Sequence, residues 1–480
     1  MKFGTSGLRG LVTDLQGLPA FLYATAFAEH LLEAGLSKPG DKIYVAGDHR
    51  PSTPDIMATC LGALERSGLA PIDCGAIPTP ALALYAMTRS SASLMVTGSH
   101  IPADRNGIKF YRPDGEITKA DEEAINHIAS NLRARLMGVI QSSAPREDTA
   151  ALAQFLDRYR ALLPARALEG LTVGVYQHST VARDALATLL VHYGAKVVAL
   201  GRSDEFIPVD TEAVSPETLA LLKAWAKEHK LDAIVSADGD GDRPLVADEA
   251  GQPLRGDLLG VLVANFLKAK VVATPVTSNS GIETAGNFRV VRTRVGSPFV
   301  IEAMNDALKS GQSAVMGFEA NGGVLTATNF QIAGSTLAAL PTRDSFLPIL
   351  ATLYLRASER KPLSAIAASF HLPIAAADRL ENFPAEASAA LMAHLRADEQ
   401  NLADWLKPIG AVSNVSDIDG LRVTLEDGRI IHLRPSGNAP EMRCYVEARD
   451  EEMAQQLLRQ GLELARKWVI GDGSSRYQGG

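Results

Sequence analysis

The chain is poor in cysteine, in clustered basic residues and in long apolar segments. Its three cysteines, Cys60, Cys74 and Cys444, are widely spaced and form no Cys-x-x-Cys pair, so they offer no disulfide framework. Lysine and arginine form no long block and the formal net charge is -8, so a nucleic-acid-binding surface is not supported. These absences predict a protein of the reducing cytosol with no nucleic-acid partner.

Membrane and export signals are missing as well. The first seven residues contain no apolar stretch of the signal-peptide kind, and the apolar run Leu258 to Phe266 is too short to span a bilayer. We therefore expect a cytoplasmic protein without a membrane partner. The 480 residues, 46% of them hydrophobic, suffice for several hydrophobic cores, which predicts a multidomain globular protein.

Short runs rich in valine, isoleucine and leucine alternate with segments rich in alanine and leucine. The runs are typical of buried parallel strands and the segments of amphipathic helices, and this alternation predicts α/β layers. Strands are expected at 42–48, 94–98, 171–175 and 233–236, and helices at 53–67 and 183–193. Similar units recur over residues 1–148, 149–252 and 253–365, which predicts three α/β domains, although the self-similarity between them is too weak to establish a repeat.

Near the carboxyl terminus the pattern changes. A helical segment at 385–405 precedes two strands at 416–423 and 429–433. This order predicts a smaller, separate α+β domain over residues 366–480.

The segment Asp238 to Arg243 (DGDGDR) directly follows a predicted strand. Three carboxylates at alternate positions, separated by glycines, can turn their oxygens toward one point, which suits a hard divalent cation such as Mg²⁺. An EF-hand calcium loop also alternates aspartates, and Glu249 stands at its twelfth position, but Arg243 occupies the sixth, where that loop needs glycine. A solvated acidic turn is the other alternative.

A second candidate is Thr97-Gly98-Ser99-His100, at the end of another predicted strand. A hydroxyl at the carboxyl end of a parallel strand sits where open α/β sheets bind ligands, and His100 could polarise groups beside it. Lys109, ten residues after Ser99, could return to the same cleft as an acid or base. A serine that makes only a local hydrogen bond in a turn fits the same pattern.

Three further loops carry groups suited to phosphate or sugar. Gly4 to Gly10 combines small hydroxyls with an arginine, and Arg434 to Arg443 offers two guanidinium groups, a serine and backbone amides, so both could hold phosphate. In Gly317 to Gly323 a carboxylate and an amide stand two residues apart and could grip adjacent sugar hydroxyls. Ordinary turns with surface side chains are the alternative for each loop.

Taken together and in this order, the motifs resemble those of the α-D-phosphohexomutase family. The resemblance runs from Gly4 to Arg443 and implies three related α/β domains plus a smaller α+β C-terminal domain around a central cleft. It implies interconversion of hexose 1-phosphate and hexose 6-phosphate through a phosphoserine and a hexose 1,6-bisphosphate. Mg²⁺ is the implied cofactor and a small-molecule phosphosugar the substrate, and we expect a monomer or weak dimer.

The resemblance also assigns roles to individual residues. Ser99 becomes the phosphorylated serine, and one of its phosphate oxygens joins three aspartates as a metal ligand: Asp238, Asp240 and Asp242. The residues expected around the transferring phosphoryl group are Arg9, His100, Lys109 and Arg243. Those expected to bind substrate are Glu319 and Asn321 at the sugar hydroxyls, and Arg434, Ser436, Gly437, Asn438 and Arg443 at the phosphate that does not react.

The sugar-facing loop leaves the hexose open. Family members that act on mannose or glucose phosphate commonly have Glu-x-Ser there, whereas this chain has Glu319-Ala320-Asn321, reminiscent of acetylglucosamine-phosphate mutases. Together with residues 176–184, however, the loop is most similar to the bacterial phosphomannomutases of the family. We expect mannose phosphate first, glucose phosphate second and the glucosamine phosphates third. A phosphosugar-binding protein that has lost the chemistry is the rival, but Ser99 and all three aspartates are retained.

Overall fold

The computed structural model of the protein describes residues 2–4, 7–132, 138–142, 149–437 and 440–473. The chain forms two compact units, the first comprising Met1–Ala273, Gly286–Arg289 and Gly296–Ser369, and the second Thr274–Ala285, Val290–Val295 and Phe370–Gly480. Within the described part of the chain, no helix has the length and apolar character needed to cross a membrane.

A seven-stranded mixed sheet opens the first unit. Its strands are β1 (Lys2–Gly4), β2 (Gly7–Leu11), β3 (Lys42–Gly47), β4 (Ala70–Ala76), β5 (Ser93–Val96), β6 (Arg105–Arg112) and β7 (Gly115–Glu116). The helices of this region are α1 (Val12–Leu15), α2 (Leu18–Glu33), α3 (Thr53–Arg66), α4 (Thr79–Met87) and α5 (Lys119–Leu132). The strand order is β1-β2-β6-β5-β3-β4, with β7 beside β6. Strand β3 runs parallel to β4 and β5, whereas β6 is antiparallel to both β5 and β2.

The second sheet, of four strands, has the order β11-β10-β8-β9. These strands are β8 (Thr172–His178), β9 (Lys196–Arg202), β10 (Ala233–Ala237) and β11 (Pro244–Ala247), accompanied by α6 (Ala150–Arg160), α7 (Arg183–His192) and α8 (Pro216–His229). Strand β8 is parallel to β9 and β10, and β11 is antiparallel to β10.

The third sheet is again mixed. Its region contains β12 (Val271–Pro275), β13 (Arg289–Thr293), β14 (Val315–Phe318), β15 (Val324–Thr326), the hairpin β16 (Phe330–Ile332) and β17 (Ser335–Leu337), and β18 (Leu340–Asp344). Its helices are α9 (Gly256–Leu267), α10 (Ser297–Lys309), α11 (Phe346–Glu359) and α12 (Leu363–Ala368), with a 3₁₀ turn at Ser280–Thr284. Within the first unit, β14 is parallel to β12 and antiparallel to β15, which is antiparallel to β18.

All three sheets share one local arrangement. A strand of the parallel set leads through a short loop into an antiparallel neighbour: β5 into β6, β10 into β11, and β14 into β15. We name these loops the serine loop (residues 97–104), the acidic loop (238–243) and the Glu-Asn loop (319–323). Each therefore lies at the carboxyl end of a buried strand, where α/β sheets place their ligands. The predicted α/β layers are confirmed.

Local sequence signals explain where individual helices begin. Pro216 occupies the first position of α8, where a missing N–H costs nothing, and the Ser215 hydroxyl accepts the Thr218 N–H at 3.2 Å. The predicted helix at 53–67 corresponds to α3, which has Pro54 and Asp55 in its first turn.

The second unit contains an antiparallel sheet covered by helices, so the predicted α+β region is confirmed. The sheet has the order β19-β23-β22-β21-β20. Its strands are β19 (Ile374–Leu380), β20 (Val412–Ser416), β21 (Leu421–Leu425), β22 (Ile430–Pro435) and β23 (Met442–Ala448), and the helices are α13 (Ala385–Ala397), α14 (Glu399–Leu406) and α15 (Glu451–Gly473).

Two sequence predictions for this unit were wrong in detail. The helix predicted at 385–405 is two helices, because Asp398 is extended and its carboxylate caps α14 by accepting the Gln400 N–H at 2.9 Å. The strand predicted at 416–423 begins only at Leu421, because the chain turns at Gly420 with φ +82°. A side chain at Gly420 would place its Cβ 2.3 Å from the Leu433 carbonyl oxygen.

A buried tyrosine–aspartate pair generates a stability prediction. The Tyr159 hydroxyl of α6 donates to Asp344 Oδ2 at the end of β18, and both side chains are buried. Tyr159→Phe should lower the free energy of unfolding by about 1–3 kcal/mol, since it leaves a buried carboxylate oxygen without its donor. Chemical denaturation measures this, with Tyr354→Phe on a partly buried ring of α11 as control. Equal effects in the two variants would contradict the prediction.

Candidate active site

The aspartates of the acidic loop lie together in the interior. Their ligand-capable oxygens are within 4.8 Å of one another, and Asp238 and Asp240 are fully buried. Among the described residues, Asp240 Oδ1 and Asp242 Oδ1 have no hydrogen-bond partner. Buried carboxylate oxygens without a partner are costly, whereas a divalent cation with oxygen ligands would satisfy them. The donor set therefore fits Mg²⁺ and could bind it.

Two buried cations offset part of this negative charge. Lys109 Nζ donates to Asp240 Oδ2 at 2.5 Å and to Asp242 Oδ2 at 2.6 Å, and Arg343 Nε donates to Asp242 Oδ2 at 3.0 Å. Burial raises the pKa of Asp242, but Arg343 and Lys109 outweigh it and hold the pKa well below its usual value. Burial, with the two neighbouring carboxylates, raises the pKa of Asp238 well above its usual value.

Ser99 reaches this cluster from the serine loop. Its Oγ donates to Asp238 Oδ2, and its backbone N–H donates to Thr97 Oγ1 at 2.8 Å. Its φ of +56° is uncommon for a residue with a side chain. The unusual backbone conformation thus accompanies a hydroxyl that is buried against the acidic loop.

Arg50, which the sequence analysis missed, holds the serine loop in place. All five N–H groups of this buried guanidinium have acceptors. They are Asp48 Oδ2 (3.1 Å) and the carbonyl oxygens of Ser99 (3.0 Å), Ile101 (2.5 Å), Pro102 (2.7 Å) and Arg105 (2.9 Å). A Cβ on Gly98 would lie 2.6 Å from Arg50 Cζ, so glycine gives the guanidinium its space. The pattern Asp48-x-Arg50 directly after a predicted strand is the sequence signal that could have identified Arg50.

Thr79 and the acidic loop's own backbone also position carboxylates. The Thr79 hydroxyl, at the start of α4, donates to Asp240 Oδ2 at 2.5 Å, and its N–H donates to the Asp240 carbonyl at 2.9 Å. The N–H groups of Asp242 and Arg243 donate to Asp238 Oδ1 at 3.2 and 3.1 Å. Hydrogen bonds from Thr79 and from the loop's own backbone therefore hold the carboxylates of Asp240 and Asp238 in place.

Basic groups surround the serine. Arg243 Nη1 lies 2.9 Å from His100 Nδ1, which must accept the hydrogen bond because guanidinium only donates. Burial, together with Arg243, lowers the pKa of His100 to about 3, so the ring is neutral at neutral pH. Desolvation, followed by Arg243 and Arg343, lowers the pKa of Arg9 to about 10. Cations that destabilise one another in this way favour a bound anion such as phosphate.

The Glu-Asn loop adjoins the same cluster through Arg343. Arg343 Nη1 donates to Glu319 Oε2 at 2.9 Å, and the Glu319 side chain is buried. Asn321 is also buried, and its Oδ1 accepts the Gly323 N–H at 3.0 Å. Arg343 thus links Glu319 to Asp242, and Asn321 lies two residues further along the same loop. Arg343 itself was not identified from the sequence.

The predicted phosphate loop from Arg434 to Arg443 lies in the second unit. Arg434 and Arg443 stand opposite each other on β22 and β23. Arg434 Nε lies 2.9 Å from Asp419 Oδ2, and Arg443 lies 3.5 Å from Glu441. The Ser436 N–H donates to the Glu441 carbonyl at 2.9 Å and closes the loop. Predicted residues that fall outside the described part of the chain are Thr5, Ser6 and Asn438.

The first unit combines an α/β fold with a buried serine hydroxyl, three carboxylates and cations, groups that suit an enzyme of phosphoryl transfer. Four family models match the chain in order: Phosphoglucomutase/phosphomannomutase, alpha/beta/alpha domain I at residues 1–135, domain II at 153–251 and domain III at 255–372, and the C-terminal domain at 379–463. The chain belongs to the phosphoglucomutase/phosphomannomutase family, as the sequence motifs predicted.

Individual relatives share nearly the full length of the chain. A phosphomannomutase of Sinorhizobium fredii is 55% identical over 471 residues, covering 98% of this chain and 99% of that protein. One from Salmonella muenchen is 43% identical, covering 95% and 93%. The fold is also similar to the crystal structure of a putative phosphomannomutase from Thermus thermophilus, at 22% identity and TM-score 0.74, covering 97% of this chain and 99% of the other.

The contacts of Arg50 predict how its replacement acts. Arg50→Lys keeps the charge but cannot supply five directed N–H groups, so buried carbonyl oxygens lose donors and stability should fall by about 2–4 kcal/mol. Hydrogen exchange in residues 97–104 should accelerate, as mass spectrometry would show. Arg66→Lys, at an exposed arginine of α3, should change neither quantity. Unaltered exchange in the serine loop of Arg50→Lys would show that Arg50 does not hold the loop.

Proposed function

We propose that the protein interconverts mannose 1-phosphate and mannose 6-phosphate through a phosphoserine at Ser99. The observation that carries the proposal is the Ser99 hydroxyl, buried against Asp238 at the edge of a triad of carboxylates with Arg243 nearby. The names of the relatives at 55% and 43% identity support mannose as the sugar.

Asp238, Asp240 and Asp242 would hold Mg²⁺ together with a phosphate oxygen on Ser99. When bound, the metal would neutralise negative charge on the phosphoryl group in transfer, the main requirement of this chemistry. Arg9 and Arg243 would add positive charge on the same group, since phosphoryl transfer depends on positioning and electrostatics more than on covalent catalysis.

The reaction then consists of two transfers. In the first, the bond between phosphorus and Ser99 Oγ breaks while a substrate hydroxyl oxygen bonds to phosphorus and loses its proton, giving a hexose 1,6-bisphosphate. After the bisphosphate turns around, its other phosphoryl group passes to Ser99 Oγ, the sugar oxygen that it leaves takes up the proton removed in the first transfer, and the product is released. Total phosphate is conserved, and the enzyme returns to its phosphorylated form.

The proton of the attacking hydroxyl needs an acceptor. Of the two candidates, Lys109 donates to two carboxylates, and an ammonium group has no lone pair with which to accept a proton. His100 is neutral, and its Nδ1 lies 3.3 Å from Ser99 Oγ. Arg243 already donates to that nitrogen, so we propose that His100 takes the proton only once a bound phosphate draws Arg243 away, and that Lys109 neutralises charge.

Substrate binding is proposed for two further sets of residues. The buried pair Glu319 and Asn321 would accept and donate hydrogen bonds to sugar hydroxyls. In the second unit, a phosphate that is not reacting would be held by Arg434, Ser436, Gly437, Asn438 and Arg443. The unsatisfied, buried Nε of Arg443 among the described residues supports an anion there.

Ser99→Ala removes the proposed phosphoryl carrier without adding bulk. Its kcat should fall by about 10³-fold or more, because the covalent route is lost. A coupled assay with Mg²⁺ and a trace of hexose 1,6-bisphosphate measures turnover, and mass spectrometry of the wild type should find phosphate on Ser99. Ser130→Ala, at an exposed serine of α5, should behave as wild type. Wild-type turnover in Ser99→Ala would overturn the mechanism.

The preferred sugar is tested by comparing substrates. The kcat/KM ratio across the 1-phosphates of mannose, glucose, glucosamine and N-acetylglucosamine reports differential binding of the transition states. We expect mannose 1-phosphate to give the highest value and glucose 1-phosphate the second. A highest value for N-acetylglucosamine 1-phosphate would refute mannose specificity and favour the interpretation based on Asn321.

A further inference from the structure

We propose that Arg343 is a positioning residue that couples the acidic loop to the Glu-Asn loop, orienting Glu319 and moderating the negative charge that Asp242 offers a metal. The inference deepens the proposed function and rests on it for the roles of the two loops. Arg343 lies near the end of β18, outside every motif that the sequence displays.

The coupling follows from the contacts of one guanidinium group. Arg343 Nε and Nη2 each lie 3.0 Å from Asp242 Oδ2, and Nη1 donates to Glu319 Oε2 at 2.9 Å. Nη1 also lies 3.3 Å from Ser297 Oγ. A planar, buried cation therefore spans carboxylates from two loops that belong to different sheets. Displacement of either carboxylate would change the hydrogen bonds of the other.

The surroundings of Arg343 keep it in this position. Its aliphatic stem passes over Gly323, where a Cβ would lie 2.9 Å from Arg343 Cδ. Two residues further on, the Ser345 hydroxyl donates to the Gly241 carbonyl of the acidic loop at 2.7 Å. Two side chains, those of Arg343 and Ser345, thus attach the end of β18 to the acidic loop, so the guanidinium cannot easily follow only the Glu-Asn loop.

Arg343 has opposite effects on the binding of the sugar phosphate and on the binding of Mg²⁺. Because Arg343 engages Glu319 Oε2, the carboxylate is held in one rotamer for a sugar hydroxyl, which favours substrate binding. At Asp242 the same cation lies against Oδ2, while Oδ1 accepts no hydrogen bond from the described residues and lies 3.9 Å from Arg243 Nε. Its positive charge lowers the attraction of the aspartates for another cation. Removing it should therefore strengthen Mg²⁺ binding and weaken sugar-phosphate turnover.

Opposite changes in Mg²⁺ affinity and in turnover distinguish a positioning role of Arg343 from a merely structural one. In the full chain, Arg343→Met keeps the aliphatic part of the side chain and removes the charge. Arg343→Lys keeps the charge and removes the planar set of N–H donors. Calorimetric titration with Mg²⁺ alone should give a dissociation constant about three- to tenfold lower for Arg343→Met and near wild type for Arg343→Lys. The kcat/KM for mannose 1-phosphate at saturating Mg²⁺ should fall about 100-fold for Arg343→Met and about tenfold for Arg343→Lys.

Lys361→Met, which removes an exposed charge, serves as the matched control and should change neither quantity. If Mg²⁺ binding and turnover both weaken in Arg343→Met, Arg343 is only structural and the proposal is overturned. Unchanged Mg²⁺ binding also overturns it. Because the Mg²⁺ titration requires no turnover, it still tests Arg343 if the protein proves inactive on every hexose phosphate, an outcome that would refute the proposed function instead.

A second measurement covers the case in which Arg343→Met does not fold. Glu319→Gln weakens one acceptor of Arg343, so the guanidinium should bind Asp242 more fully and raise the Mg²⁺ dissociation constant about threefold. In the Arg343→Lys background this effect should largely vanish, because lysine cannot bridge both carboxylates. The same increase in both backgrounds would indicate direct electrostatics between Glu319 and the metal, and would overturn coupling through Arg343.

Discussion

Mutual repulsion among three buried carboxylates is the constraint to which the first unit is adapted. Groups of like charge within 4.8 Å of one another in a poorly hydrated interior can be tolerated only if opposite charge and hydrogen-bond donors surround them. Lys109 comes from β6, Arg343 from β18, and hydroxyl donors from Ser99 and Thr79. Each of these groups comes from outside the sheet that carries the aspartates. Electrostatic compensation therefore joins the three α/β sheets at one place.

The repeated strand–loop–antiparallel strand arrangement gives these groups a common origin. In each sheet a parallel strand ends, the chain turns, and an antiparallel strand returns beside it. The turn frees the side chains of the loop from the sheet while both of its ends remain hydrogen-bonded. In the proposed enzyme, the same strand–loop–antiparallel strand arrangement therefore carries the phosphoryl-bearing serine, the metal-binding aspartates and the sugar-binding residues.

Local patterns in the sequence were sufficient for the strands and helices that were predicted in the first unit and for the position of the loops after them. The strands predicted at 42–48 and 233–236 correspond to β3 and β10, since buried parallel strands form continuous apolar runs. Arg343 escaped prediction because its partners are far away in the chain and an isolated arginine carries no local signal. Arg50 has a local partner in Asp48, but the four carbonyl oxygens that define its role are also distant in sequence. The break at Asp398 was missed for a different reason: the Asp-Glu-Gln sequence was a recognisable helix start inside a segment with continuous helical periodicity.

The contact between Gly98 and Arg50 has an evolutionary consequence. The space that a methyl group at position 98 would require is already filled by the guanidinium that holds the serine loop. Alanine at position 98 therefore requires the guanidinium to move, whereas replacement of Arg50 meets no obstacle at Gly98. In a lineage that acquires alanine beside the serine, the change at position 50 is therefore expected first. The reverse order would pass through a protein in which the alanine methyl group and the Arg50 guanidinium clash.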